Sequence, residues 1–217
     1  MTLQNNLNAV HKEIMSKVPD IGEKFDADTE EALRNGLGSE SLKEGDHPPN
    51  FELSNQTGHT VKSADLRKKG ILVVSFYRGH WCPYCNLELK ALQNILPELN
   101  DLGASLVAIS PQLPDASLTT VEKNNLTFPV LSDVNNVIAR QYGLVFTLSE
   151  ELRPLYAEFG IDIPKANGTG TFELPVPGTF VVGQNGTILA AYVNGDYKQR
   201  IEPDKILDIL KEHKTSS

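Results

Sequence analysis

The sequence has very little cysteine: Cys82 and Cys85 are the only two in 217 residues. A structural zinc site needs four ligands and usually includes a second pair of cysteines or histidines. The five histidines are scattered along the chain, so we expect no metal site. The two cysteines are then either an inert buried pair or a reactive dithiol.

The sequence also has few positive charges and no long apolar run. It has 28 acidic and 20 basic residues, a balance that argues against a nucleic-acid-binding surface. No stretch approaches the ~20 apolar residues of a membrane helix, and the N-terminus does not resemble a signal peptide. We therefore expect a cytoplasmic protein with no nucleic-acid partner, no membrane partner and no cofactor. In that reducing compartment a lone Cys-X-X-Cys is better explained by catalysis than by a structural disulfide.

The two cysteines belong to the motif Cys82-Pro83-Tyr84-Cys85, which follows an apolar run at 71–76 and opens a helical pattern. Residues three apart share one face of a helix, so the two sulfurs come within disulfide reach. A helix N-terminus favours thiolate over thiol, and the thiolate is the nucleophile. The position therefore predicts that Cys82 is exposed and reactive, with a pKa nearer the ~7 of a thioredoxin-type pair than the ~8.5 of a free thiol. Cys85 is expected to lie behind it.

The remaining pattern predicts one α/β domain preceded by helices. Helical periodicity at 3–18 and a short helix at 29–35 form an N-terminal extension over residues 1–44. The main domain then spans 45–217. We expect the extension to pack on this domain or on a partner subunit, in which case the chain forms a homodimer.

Alternating and β-branched segments predict the strands of the main domain, and apolar periodicity predicts its helices. The predicted strands are 50–53, 59–61, 71–76, 104–110, 128–131, 179–182 and 187–193. The predicted helices begin near Cys82, Asp115, Asp133 and Pro203, and an insertion at 144–174 carries one more at 150–159. The strand-helix-strand-helix order after residue 71 predicts parallel strands.

This order of elements resembles the thioredoxin fold, and Cys-Pro-Tyr-Cys is similar to the glutaredoxin motif. Flanking segments over about residues 45–212 resemble AhpC/TSA-type peroxiredoxins. They include Pro49-Asn50-Phe51-Glu52-Leu53, Phe76-Tyr77-Arg78-Gly79, Ser110-Pro111-Gln112, Phe128-Pro129-Val130-Leu131-Ser132-Asp133, Ala139-Arg140-Gln141-Tyr142-Gly143 and Gly178-Thr179-Phe180-Val181-Val182. The resemblance implies a three-layer α/β/α fold with a central mixed sheet flanked by helices. It also implies a thiol peroxidase that reduces hydrogen peroxide or organic hydroperoxides and is recycled by thioredoxin, glutaredoxin or glutathione.

The resemblance leaves the attacking cysteine open. Peroxiredoxins carry a proline, a threonine and then the attacking cysteine, and Arg78, Cys82 and Cys85 stand at these three places. That register favours Cys85, whereas the helix N-terminus and the glutaredoxin-like motif favour Cys82. Pro177 stands where the family's peroxide-polarising arginine is expected. By similarity to thioredoxin, it is expected to be a cis-proline that faces the dithiol and shapes a substrate groove.

The remaining candidates would complete a peroxidase site. Arg78 and Arg200 supply positive charge for the charge that develops on the peroxide, and Arg200 matches a later arginine of the family. His80 and Trp81 shape the mouth of the pocket. The alternatives are ordinary surface charges for the arginines, a solvated loop for the histidine and simple packing for the tryptophan.

Two other functions stay open at this point. Cys-Pro-Tyr-Cys and Pro177 also fit a thiol–disulfide oxidoreductase that acts on protein disulfides. The third hypothesis is a non-catalytic redox-sensing module that binds a partner in one oxidation state.

Overall fold

The computed structural model describes residues 2–214 and builds them around a seven-stranded mixed sheet. Its strands lie in the order β2-β1-β5-β4-β3-β8-β9, with β3, β4 and β5 parallel and the outer pairs antiparallel. They are β1 (Glu52–Asn55), β2 (Thr60–Lys62), β3 (Leu72–Phe76), β4 (Ser105–Ser110), β5 (Val130–Ser132), β8 (Gly178–Val182) and β9 (Ile188–Val193). A separate two-stranded sheet pairs β6 (Val145–Thr147) with β7 (Glu173–Pro175).

Helices cover both faces of the large sheet, as the predicted three-layer fold requires. They are α1 (Leu3–Lys17), α2 (Pro19–Arg34), α3 (Ser63–Arg67), α4 (Pro83–Asp101), α5 (Pro114–Asn124), α6 (Val137–Gln141), α7 (Arg153–Glu158), α8 (Ile163–Asn167) and α9 (Pro203–Lys214). A short 3₁₀ turn, Val134–Asn136, precedes α6. The thioredoxin-like mixed sheet flanked by helices is confirmed.

Strand β3 shows why the sheet has a core on each side. Successive side chains of a strand point to opposite faces, and β3 is apolar on both. Val73 packs with α1, α4 and α9, whereas Leu72, Val74 and Phe76 pack with α6 on the other face. Strand β3 therefore fixes the position of the chain that leaves its carboxyl end, where the Cys-X-X-Cys segment begins.

The N-terminal helices lie against the main domain. Leu3 and Leu7 of α1 are buried in the same core as α4, and the Glu202 carboxylate accepts hydrogen bonds from the backbone N–H groups of Leu3 and Gln4. The predicted short helix at 29–35 was wrong in its start, because α2 begins at Pro19. A proline is favoured at the first helical position, so Pro19 starts a helix as well as ending the previous one. The division of the chain at residue 45 and the homodimer stay predictions.

The insertion contributes a small cluster of its own. The predicted helix at 150–159 is shorter, at Arg153–Glu158, while α8 and the β6–β7 pair were not predicted. Their strands have three residues each, too few to show an alternating pattern. Leu152, Leu155 and Tyr156 pack there against Phe25 of α2 and Trp81 beside the dithiol. The extension and the insertion thus meet over the Cys-X-X-Cys segment.

Among residues 2–214, no helix is both long enough and apolar enough to span a membrane.

Candidate active site

The dithiol lies where α4 begins. Cys82 caps the helix in an extended conformation, and its sulfur accepts a hydrogen bond from the Cys85 backbone N–H at 3.3 Å. Pro83 occupies the first helical position, where its missing N–H costs no hydrogen bond. Cys85 follows on the same face, and its thiol donates to the Cys82 sulfur with the two sulfur atoms 2.7 Å apart. Both cysteines are free, and one sulfur can reach the other without backbone rearrangement.

Both sulfurs are buried, so the expected exposure of Cys82 was wrong. Cys82 and Cys85 each have 0% of their surface exposed. Phe25 of α2 and Tyr156 of α7 pack on each other beside this helix end, and Tyr156 also packs on Trp81, the residue before Cys82. The prediction considered only the local helix position and not these distant segments.

Arg78 lies directly against Cys82. Its Nη2 donates to the Cys82 sulfur at 3.4 Å and its Nη1 donates to the Tyr156 hydroxyl at 3.2 Å. The guanidinium carbon stacks 3.8 Å from the centre of the Tyr197 ring. Arg78 is buried, and within residues 2–214 no carboxylate forms an ion pair with it. A buried charge is costly unless it is paired, so the Cys82 thiolate is the natural counter-ion of Arg78.

Arg200 lies on the other side of the dithiol and already has a carboxylate partner. Its Nε donates to Glu88 Oε2 at 2.6 Å, and both side chains are almost fully buried. Its Nη2 lies 3.7 Å from the Cys85 sulfur, and its Nη1 donates to backbone carbonyls, including that of Gln199. Burial raises the pKa of Glu88, and the adjacent Arg200 opposes that rise. The charge of Arg200 is therefore shared between Glu88 and Cys85.

These surroundings shift the two thiols in opposite directions. Burial alone would raise the pKa of Cys82, but the hydrogen bond from Cys85 and the charges of Arg78 and Arg200 outweigh it and hold that pKa well below the ordinary range. For Cys85, burial and its donated hydrogen bond to Cys82 raise the pKa well above the ordinary range. The arrangement therefore favours a Cys82 thiolate beside a Cys85 thiol.

Two cavities reach this centre at Arg78. Arg78, Tyr156 and Tyr197 line both, and neither cysteine lines either one. Trp81 lines the cavity beside α1 and packs edge-to-face on Tyr156, while Pro177 lines the cavity beside the insertion. Among residues 2–214 every peptide bond is trans, so the expected cis bond at Pro177 was wrong.

His80 lines neither of these cavities. Its backbone N–H donates to Gln112 Oε1 at 2.9 Å, and its carbonyl accepts from Asn86 at 2.8 Å. Burial, followed by the charge of Lys123, lowers its pKa and favours the neutral imidazole. His80 therefore holds the loop before Cys82 to the loop after β4, away from the mouth that we expected it to shape.

Three residues of this centre were not predicted from the sequence: Glu88, Tyr156 and Tyr197. Glu88 had a signal, because it is an acidic residue one turn beyond Cys85 on a helix face that is otherwise apolar. The two tyrosines had none, since they come from the insertion and from the loop after β9 and meet only in the folded chain.

The chain is similar to several known peroxiredoxins. Peroxiredoxin Bcp of Escherichia coli K12 is 28% identical over 172 residues, which are 79% of this chain and 97% of that protein. Chloroplastic peroxiredoxin Q of Gentiana triflora is 27% identical over 77% of this chain and 64% of its own length. The crystal structure of peroxidoxin BcpB from Mycobacterium tuberculosis superposes with a TM-score of 0.62 at 24% identity, covering 79% of this chain and 97% of that one. The family model of the AhpC/TSA family matches residues 45–191, and the chain belongs to that family.

Proposed function

We propose that the protein is a thiol-dependent peroxidase in which Cys82 attacks the peroxide and Cys85 resolves the product. The family and its peroxiredoxin relatives support the reaction class. The observation that carries the choice of nucleophile is the Arg78 contact with the Cys82 sulfur, because this buried cation pairs with no carboxylate within residues 2–214. Cys85 has only the longer contact with Arg200, whose charge Glu88 already compensates.

In the first step the Cys82 thiolate attacks the terminal oxygen of a hydroperoxide. The S–O bond forms as the O–O bond breaks, and the leaving alkoxide or hydroxide takes a proton to become an alcohol or water. Negative charge moves from sulfur to oxygen during this step, and a fixed cation beside both atoms stabilises the transition state. Arg78 is the group in contact with the sulfur, and its second nitrogen is held by Tyr156.

In the second step Cys85 attacks the Cys82 sulfenic acid. The S–S bond forms as the S–O bond breaks, and the departing hydroxide leaves as water with the proton of the Cys85 thiol. In the reduced protein, burial and the hydrogen bond to Cys82 raise the pKa of Cys85 and keep this proton on its sulfur. The sulfur atoms already lie 2.7 Å apart, so closure of the disulfide needs little motion.

An external dithiol must then return two electrons and two protons to the disulfide. We propose a thioredoxin- or glutaredoxin-type protein as that reductant, acting in the cytoplasm, rather than free glutathione. Four carboxylates line the cavity beside the insertion, on Asp28, Glu31, Glu150 and Glu151. Glutathione is an anion with two carboxylates, and like charges in a cavity oppose its entry.

Burial of both sulfurs separates this function from the alternative of reducing protein disulfides. Attack on a protein disulfide needs an exposed sulfur in the reduced protein, and both cysteines have no accessible surface there. The proposed protein reductant acts instead on the oxidised protein, and for that step we propose that the disulfide segment opens. A peroxide is small enough to enter through a cavity. We therefore place peroxide reduction first.

Stopped-flow fluorescence tests the choice, because Trp81 is the only tryptophan and adjoins Cys82. Reduced protein is mixed with one equivalent of hydrogen peroxide or of an oxidised thioredoxin-type protein, and the disulfide is checked by intact mass. We expect a fast emission change and a loss of two hydrogens with peroxide. Slow oxidation by peroxide together with fast exchange against the protein disulfide would reject the peroxidase.

A further inference from the structure

Eight of the 17 residues that line the cavity beside α1 precede the part of the chain matched by the family model. It has a volume of about 550 Å³, within the usual range for small-molecule sites. Its wall of apolar side chains comes from the junction of α1 and α2, from the residue before Cys82 and from the end of α7: Ile14, Val18, Ile21, Phe25, Trp81 and Phe159. The family match begins only at residue 45, so four of these six side chains, those of Ile14, Val18, Ile21 and Phe25, lie outside it.

The wall is open to solvent although it is apolar. Phe159 keeps 49% of its surface exposed at the rim, and the other five side chains are only partly buried. Contact between water and such an apolar surface is unfavourable. An apolar group that enters the chamber removes this surface from water, which stabilises the complex by about 25 cal/mol per Å². The chamber is a concave space between helices, and its size fits a small molecule better than a protein segment.

The charged groups of the chamber already have partners at its rim. Lys17 pairs with Glu13 at 2.5 Å, and Asp26 pairs with Lys198 at 3.0 Å and with His11 at 3.2 Å. The one remaining charge is Arg78 at the inner end, which contacts the Cys82 sulfur. A ligand that fits therefore has an uncharged apolar body and one small polar end that reaches Arg78.

We propose that this chamber is the recognition site for the organic part of the oxidant, and that the preferred substrates are uncharged hydroperoxides with a bulky alkyl or aryl group rather than hydrogen peroxide. The inference rests on the proposed peroxidase function. The hydroperoxide end points to Arg78 and the Cys82 thiolate, and the hydrocarbon part packs between α2 and Trp81. Hydrogen peroxide has no apolar part and gains nothing from the chamber.

The first test compares rate constants for oxidation by cumene hydroperoxide and by hydrogen peroxide, followed by intact mass after rapid quenching. Ile21→Phe narrows the chamber, and we expect the ratio of the two rate constants, cumene to hydrogen peroxide, to fall about tenfold. The matched control Ala27→Phe adds a ring on the exposed side of the same helix, outside both cavities, and should keep the wild-type ratio.

A second measurement does not depend on turnover. Cumyl alcohol, the unreactive product, should change Trp81 emission saturably in the reduced wild type and more weakly in Ile21→Phe and in Ile14→Asn, which places an amide in the wall. Far-ultraviolet circular dichroism checks that each variant folds. Equal ratios in wild type and Ile21→Phe, with no saturable effect of cumyl alcohol, would overturn the chamber proposal and leave the peroxidase standing. Failure of both peroxides to oxidise the dithiol would instead reject the proposed function.

Discussion

Arg78 Nη2 lies 3.4 Å from the sulfur of Cys82, while Arg200, the other buried arginine of the site, lies 2.6 Å from Glu88. The two buried cations therefore have different partners. Arg200 is balanced mainly by a carboxylate, and Arg78 is balanced by the cysteine that it contacts. This difference supports the proposal that Cys82 is the thiolate and Cys85 the thiol.

Removing the charge of Arg78 should raise the pKa of Cys82. A hydrogen bond to a charged group contributes about 1.5–3 kcal/mol, so Arg78→Met should slow oxidation by peroxide at neutral pH about 10- to 100-fold. Titration of the thiolate absorbance in the ultraviolet measures the pKa, and stopped-flow fluorescence measures the rate. Arg78→Lys keeps the positive charge, so it should restore part of the lowering of the Cys82 pKa and part of the oxidation rate. An unchanged Cys82 pKa in Arg78→Met would show that Arg78 is not its counter-ion.

The pH dependence of the first oxidation step follows from the lowered pKa of Cys82. The thiolate is the reactive form, so the rate should be constant above that pKa and fall about tenfold per pH unit below it. Burial raises the pKa of Cys82, but the hydrogen bond from Cys85 and the charges of Arg78 and Arg200 lower it by more. The plateau of the rate should therefore extend to pH values well below ~8.5, the pKa of a free thiol. Rates measured across a pH series in a constant-ionic-strength buffer give the midpoint. A midpoint near the free-thiol value would contradict the assignment.

Glu88 should matter for stability because it is the buried partner of Arg200. Glu88→Gln removes the counter-charge from a buried arginine, and such a change costs about 3–5 kcal/mol of the free energy of unfolding. Denaturant unfolding of the reduced protein measures this loss in the free energy of unfolding. Glu98→Gln is the matched control on the same helix, and its ion pair with Lys211 is half exposed, so the loss should be much smaller. Similar losses in the two variants would contradict the role of Glu88.

The N-terminal helices should unfold together with the sheet. Leu7 of α1 is fully buried against the core that contains α4, and truncation of a buried leucine costs about 2–5 kcal/mol. Leu7→Ala should therefore shift one cooperative transition to lower denaturant, whereas the exposed Asn5→Ala should not. A separate early transition, or no shift in Leu7→Ala, would show that α1 folds independently of the domain.

The strands, the family and the place of the dithiol could be predicted because they depend on local patterns. The apolar run of β3, the proline after Cys82 and the spacing of the cysteines each determine structure within a few residues. The burial of Cys82 could not be predicted in this way. Tyr156, which packs beside the site on Phe25 and Trp81, lies 74 positions further along the chain than Cys82, so no local pattern contains it.

The roles of the two arginines show the same limit. Their positions in the sequence predicted positive charge near the dithiol. The sequence does not show which sulfur each arginine stabilises, because both side chains carry the same charge. The distinction comes from Glu88, since its carboxylate pairs with Arg200 and with no atom of Arg78. The family register favoured Cys85, whereas the helix N-terminus and the glutaredoxin-like motif favoured Cys82, so the sequence left the choice open; the contacts of the folded chain support Cys82.

The most direct test identifies the cysteine that peroxide oxidises first. Reduced Cys82→Ser and Cys85→Ser are each mixed with one equivalent of hydrogen peroxide in the presence of a dimedone probe, which captures sulfenic acids, and the adduct is located by peptide mass. We expect Cys85→Ser to carry the adduct on Cys82 and Cys82→Ser to stay unmodified on that timescale. An adduct on Cys85 in Cys82→Ser, with Cys82 unreactive in Cys85→Ser, would contradict the assignment.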